Sequence, residues 1–387
     1  MKKVCIITGS RSDWGLFYSL ARQLRKNSNL TLKIIATGSH LDNNSGLSYR
    51  EIENDGFKIN AKVAILLGSD SELDIAKTVG VAISKISDVL YKIKPDLVVL
   101  LGDRFETFSA AVASFLLKIP IAHIHGGELT EGSIDNAFRH SITKMANLHF
   151  VATSKYAKRV VQMGEHPQSV YVVGSLGIDN IKGAEMLKRT GVEKVLGSKL
   201  SEKNILITFY PETLEKEEVS VQIFKSLLKA ADEVEGAMVI LTRPQSDMYS
   251  LRLNEIVDGY VKIKNGKAIC LPSLGRRNYL GLLRFIDVVA GNSSSGIIEV
   301  PLFGIPTINV GCRQTGRLKA KSIIDAEGSL KSIQSAFKKA FSRQFRDLCK
   351  TVDSPYGGSG AAKKIERVIS RTNQTWRRKR RFFDLAF

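Results

Sequence analysis

Cysteine is scarce in this chain of 387 residues. The four, Cys5, Cys270, Cys312 and Cys349, are scattered, and none sits in a CxxC pair or beside a histidine cluster. That excludes a disulfide framework and leaves no metal-ligand spacing. Glycine and proline are also modest, 31 and 9, which excludes collagen-like and low-complexity chains. No apolar run reaches membrane-spanning length. Lys2 and Lys3 precede a short apolar run that Thr8, Gly9 and Ser10 break. This reads as a first strand and not as a signal peptide. A Walker A lysine motif, GxGxxG, GxSxG and HExxH are all missing, so the P-loop, classical dinucleotide, hydrolase-elbow and zincin readings lose support. The expectation is a reduced, cytoplasmic enzyme or binding protein with no membrane partner.

Charge is plentiful and one-sided. Lys and Arg number 57 against 38 Asp and Glu, a formal net charge of +19. The basic residues are spread along the chain except for one run, Arg377 to Arg381. No stretch interleaves aromatics with arginine in an RNA-binding pattern. A basic surface with an acidic small substrate therefore fits better than nucleic acid, because net charge alone gives only non-specific attraction.

Short apolar runs alternate with stretches of helical period. Strands are expected at 4–8, 32–36, 96–101, 120–124 and 149–152, with helices after the first, third and fourth. Near-continuous apolar strands between helices indicate a parallel sheet covered on both faces. The pattern restarts at Asn204, with strands at 204–209, 238–242, 288–290 and 306–310. Helices near 330–350 and 360–371 close it. The expected fold is α/β, two doubly wound Rossmann-like domains facing a cleft. The expected domains are 1–175, 176–365 and a basic tail, 366–387, packing back on the first.

Ligands of open parallel sheets sit at the carboxyl ends of strands. Three carboxylates lie at such places: Asp103 in LGDRFE, Glu128 in HGGELT and Asp135 in SIDNAFRH. Each alone suits a helix cap or a surface ion pair. Together they suit proton transfer, since crowding raises the pKa of at least one and leaves an acid beside a base. Arg139 lies one helical turn beyond Asp135 and shares its face. Arg11 follows the first strand. Gly126 and Gly127 allow close approach of backbone to a ligand. His123 and His125 read as core or cleft residues, Trp14 and Phe17 as core. In the second half, Ser294, Ser295 and Gly296 run from a strand into a helix, which suits either an anion or ordinary serine capping. Glu299 falls one turn on and could accept two sugar hydroxyls.

These residues resemble the hydrolysing UDP-N-acetylglucosamine 2-epimerases of bacterial sialic acid synthesis. They also resemble the closely related legionaminic-pathway enzymes acting on a diacetamido UDP-sugar, which is the alternative to UDP-GlcNAc. The segments that carry the likeness are TGSRSDWG, ATGSHLDNNSG, LGDRFE, HIHGGELTEGSIDNAFRHSITKM, VVGSLG, AGNSSSGIIEVP and NVGCRQTGRLKAKSIID. The resemblance implies a GT-B-like fold, an active site between domains, no cofactor and no metal. It places Arg11, Asp103, Glu128, Asp135 and Arg139 at the sugar end. Ser294, Ser295 and Gly296 fall at the diphosphate, Glu299 at the ribose, and Arg313 and Arg317 in the basic segment beyond. It implies a UDP-sugar as substrate and a homodimer or homotetramer as assembly. One position departs. The family's Phe-His-Pro is here Phe209, Tyr210, Pro211, so a phenol stands where a histidine would meet the diphosphate, with Arg243 or Arg313 as the candidate compensating cation. A glycosyltransferase and a sugar-nucleotide sensor are the alternatives from other classes.

Overall fold

The computed structural model describes residues 1–43, 45–67, 70–182, 187–243, 249–271, 274–372 and 381–385. Within the basic run, residues 377–380 lie outside these, while Arg381 is described and exposed. The chain forms two units. The first takes Met1–Glu128, Asp135–Lys182 and Tyr356–Phe387, and the second takes Leu129–Ile134 and Gly183–Pro355. The expected boundaries at 175 and 365 thus move to 182 and 355. The reason is packing: the helix Ala361–Arg371 places Ala361, Ile365 and Ile369 in the core of the first unit, with Trp14, Leu20 and Leu24.

The first unit holds seven parallel strands: β1 (Lys2–Thr8), β2 (Leu30–Thr37), β3 (Ala61–Val63), β4 (Leu97–Leu101), β5 (Ile121–Ile124), β6 (Leu148–Val151) and β7 (Val170–Val172). Their order is β3-β2-β1-β4-β5-β6-β7. β4 is buried at every position, as a strand covered on both faces must be. The final helix is held at both ends. The Asp179 carboxylate accepts from the backbone of Gly360 and, at 2.7 Å, of Ala362, while Lys2 donates at 2.8 Å to the carbonyls of Ile369 and Thr372. Anion at the N-terminus and cation at the C-terminus match the helix dipole. Beyond it, the Phe383 N–H donates at 2.9 Å to the Gly164 carbonyl.

The second unit holds six parallel strands: β8 (Lys203–Thr208), β9 (Ala237–Thr242), β10 (Ala268–Leu271), β11 (Val288–Gly291), β12 (Thr307–Val310) and β13 (Ile323–Ala326). Their order is β10-β9-β8-β11-β12-β13. Both sheets reverse their strand order beside the first strand of the unit, between β1 and β4 and between β8 and β11. Those are the switch points where doubly wound sheets bind ligands.

The segment Leu129–Ile134 packs within the second unit. Arg317 Nε donates to the Leu129 carbonyl at 3.3 Å, and the Ile134 N–H donates to Thr213 Oγ1 at 3.1 Å. A Cβ on Gly132 would come within 2.8 Å of Cys312 Sγ. Among the described residues, no helix is long and apolar enough to cross a membrane.

Candidate active site

In the first unit, the residues after β4 and β5 and those on the helix Asp135–Met145 converge. Arg139 is 1% exposed. Its Nη2 contacts Asp103 Oδ2 directly, its Nη1 donates to the His125 carbonyl at 3.1 Å and lies 3.8 Å from Glu128 Oε2. Glu128 is fully buried, and its Oε1 is 2.6 Å from His125 Nδ1. Two carboxylates therefore share one guanidinium, which offsets the burial of each charge. Asp135 is the first residue of that helix, half-buried, four residues before Arg139 and on its face. Arg11 opens the helix after β1 and is half-buried.

The room left by the glycine pair is taken by the protein itself. Gly127 has φ +76°, and a Cβ there would lie 2.5 Å from the Tyr156 carbonyl oxygen; one on Gly126 would lie 3.0 Å from Thr143 Oγ1. Their smallness thus serves the chain's own packing. His123 is a satisfied core residue: Nδ1 meets Thr143 Oγ1 at 3.1 Å and Nε2 meets the Gly102 carbonyl at 2.8 Å. Burial lowers its pKa to about 3 and keeps it neutral.

A second charged group lies at the same edge, in residues the sequence reading had not singled out. Arg104 reaches both oxygens of the buried Glu106 at 3.1 Å. Asp13, also buried, accepts from the Gly9 N–H at 3.2 Å. Burial raises Glu106 to about 7 and Asp13 to about 6, while Arg104 pulls both down. All three residues stand inside the motifs TGSRSDWG and LGDRFE. The visible signal was an arginine two residues before a glutamate at a helix start.

The second unit shapes a different surface. Gly291 has φ +127°, and a Cβ there would lie 2.0 Å from the Thr208 carbonyl oxygen, so only glycine fits where β11 leaves the sheet beside β8. Next to it, the Asn292 side chain accepts from the Tyr210 N–H at 2.7 Å and donates to the Tyr210 carbonyl at 2.8 Å. This pair fixes the turn after β8. Ser293 caps the following helix by accepting from the Ser295 N–H at 3.3 Å, and Ser295 Oγ lies 2.5 Å from the Tyr279 hydroxyl. That helix, Ser294–Ile298, has five residues, and Glu299 sits at its C-cap instead of one turn inside it. A 3₁₀ turn with Pro301 follows at once, because proline has no N–H to continue an α-helix.

Glu212 was missed too. It is buried and holds the turn beyond β12, accepting from the Cys312 N–H at 2.6 Å and the Arg313 N–H at 3.2 Å. The Arg313 guanidinium carbon then lies 5.0 Å from the centroid of the Tyr210 ring. Arg243 is committed elsewhere, its Nη2 2.5 Å from Asp258 Oδ1. Arg313 is thus the cation beside Tyr210.

A family model described as UDP-N-acetylglucosamine 2-epimerase matches residues 22–370. Over 345 residues, 89% of each chain, the sequence is 41% identical to a GDP/UDP-N,N'-diacetylbacillosamine 2-epimerase (hydrolyzing) of Campylobacter jejuni. It is 34% identical to the polysialic acid biosynthesis protein P7 of Escherichia coli, over 95% of this chain and 94% of the other. In three dimensions it is similar to the UDP-GlcNAc 2-epimerase of Neisseria meningitidis, solved with UDP-GlcNAc. The TM-score is 0.80 at 19% identity, covering 96% of this chain and all of the other.

Proposed function

Given that the chain belongs to the UDP-N-acetylglucosamine 2-epimerase family, we propose that it is a hydrolysing 2-epimerase of a UDP-2-acetamido sugar. Asp103 and Glu128, gathered on Arg139 at the carboxyl edge of the first sheet, carry this reading. Glu128 takes the proton from C2 as the C1–O bond to UDP breaks, and the electron pair closes a 2-acetamidoglycal. Water then adds at C1, C2 is protonated from the opposite face, and the products are UDP and the free manno-configured sugar. Asp103 or Asp135 faces the cationic character that develops at C1. Ser294, Ser295, Gly296 and Arg313 meet the diphosphate, whose leaving charge they stabilise. Glu299 accepts from the ribose hydroxyls, and Arg11 meets an anionic group of the substrate. The assembly is a homodimer or homotetramer in the cytoplasm, with no cofactor.

For the sugar, the 41% relative favours the UDP-2,4-diacetamido-2,4,6-trideoxy-glucose substrate over UDP-GlcNAc. A relative 30% identical over the whole chain, the UDP-N-acetylglucosamine 2-epimerase of Neisseria meningitidis, favours UDP-GlcNAc. Incubating the protein with each in deuterated water, with NMR of the products, tests both points. Released sugar should carry deuterium at C2. Protium alone at C2 would sink the elimination route, and no UDP from either sugar would sink the reading itself.

Tyr210 gives a sharper expectation. If its ring serves as the platform for Arg313, Tyr210→Phe should keep kcat/KM within about twofold. Tyr210→Ala should lower it about fivefold, the worth of a cation–π contact of roughly 1 kcal/mol. Equal losses in the two variants would assign the role to the hydroxyl.

A further inference from the structure

His125 combines an awkward backbone with a committed side chain. It follows β5 at φ +68°, a region glycine enters freely and a residue with a Cβ does not. Its N–H donates to the Phe150 carbonyl at 2.9 Å, and its own carbonyl accepts from Arg139 at 3.1 Å. A glycine would satisfy the backbone at this point. What glycine lacks is the imidazole, whose Nδ1 lies 2.6 Å from Glu128 Oε1 with both side chains buried. The other ring nitrogen, Nε2, is buried and has no hydrogen-bond partner among the described residues. A bare buried nitrogen is costly to keep.

We propose that His125 is the positioning residue of Glu128. This rests on the reading of Glu128 as the carrier of the C2 proton. The Nδ1–H donates to Oε1 of the ionised carboxylate and fixes its plane, and Nε2 keeps its lone pair. Arg139 braces the arrangement from the other side through the His125 carbonyl. Asp103 meets the same guanidinium, Arg159 donates to the Gly127 carbonyl beside Glu128, and His123, close to His125, is held neutral by burial. The left-handed turn is what brings the ring back along the chain onto a carboxylate three residues later.

The test is His125→Gly in the full chain. Since φ +68° suits glycine, the variant should fold. Its kcat should fall about tenfold to a hundredfold, the worth of a hydrogen bond to a charged group, with KM within about twofold. Added imidazole should recover several-fold of that loss, and His125→Asn, which tolerates the same φ and offers an amide donor, should lose less. If the glycine variant does not fold, the asparagine variant against parent carries the comparison. A kcat within twofold of parent overturns the proposal, and so does a loss that neither imidazole nor asparagine relieves. Ring nitrogen NMR separates this from the proposed function. The parent should show His125 as the Nδ1–H tautomer, and Glu128→Ala should abolish that preference. If the parent releases no UDP but shows the tautomer, the function reading fails and the pairing stands; absence of the tautomer overturns the pairing.

Discussion

Glu128→Gln should release UDP from the substrate at least about a hundredfold more slowly than the parent, with a ceiling near ten-thousandfold, the range for losing a positioned acid–base group. Glutamine matches glutamate in shape and can still accept from His125 through its amide oxygen, so the fold around it should persist. It cannot take a proton. UDP affinity, read by calorimetry, should stay within about twofold, because the proposed diphosphate contacts lie in the second unit. Near-normal UDP release would remove Glu128 from the reaction, and a parallel loss of UDP affinity would mean that its role is binding.

The second large effect concerns stability. Arg139 sits at 1% exposure among Asp103, Glu128 and the His125 carbonyl. Arg139→Met keeps the side chain's length and removes the charge. The buried Glu128 and the partly buried Asp103 would then lack their cation, which typically costs about 3–5 kcal/mol for a buried pair. The melting temperature should fall by roughly 10 °C, at about 2–4 °C per kcal/mol for a unit of this size. Arg139→Lys should lose less, since it retains a charge without the fork. Differential scanning calorimetry reads both. A fall under about 2 °C for the methionine variant would show that solvent or a neighbouring group takes over the charge.

The apolar strands of both sheets were legible because continuous burial leaves continuous hydrophobic runs. Val98, Val99 and Leu100 could be little else. β3, β7, β10 and β13 were not read, being three or four residues long and only partly buried, so they lack a clear run. The helix Glu72–Ile93 also went unassigned, and the helix Ala361–Arg371 was read at its place but divided at residue 365 between the second domain and the tail that packs on the first. Sequence distance hides such packing: Ile365 reaches the first core from 361 residues beyond Val4. Candidate site residues that end strands could be named from their motifs. Glu106, Asp13 and Glu212 could not, because their weight comes from burial beside a specific arginine or a specific turn. His125 was visible as a histidine, but its left-handed backbone and its bond to Glu128 are facts of three dimensions.

The place of the helix Ala361–Arg371 also sets an order of events during synthesis. About 170 residues separate Lys182 from Tyr356, and all of them belong to the second unit. At about 5–20 residues per second, the first unit waits roughly 10–35 s for its last helix. Through that interval the apolar faces that Ile365 and Ile369 will cover stand open on the nascent chain. The later half of the polypeptide can close its core first, and the earlier half closes last. A chain ended after Pro355 and released should therefore have a second unit that resists protease and a first that remains open to it.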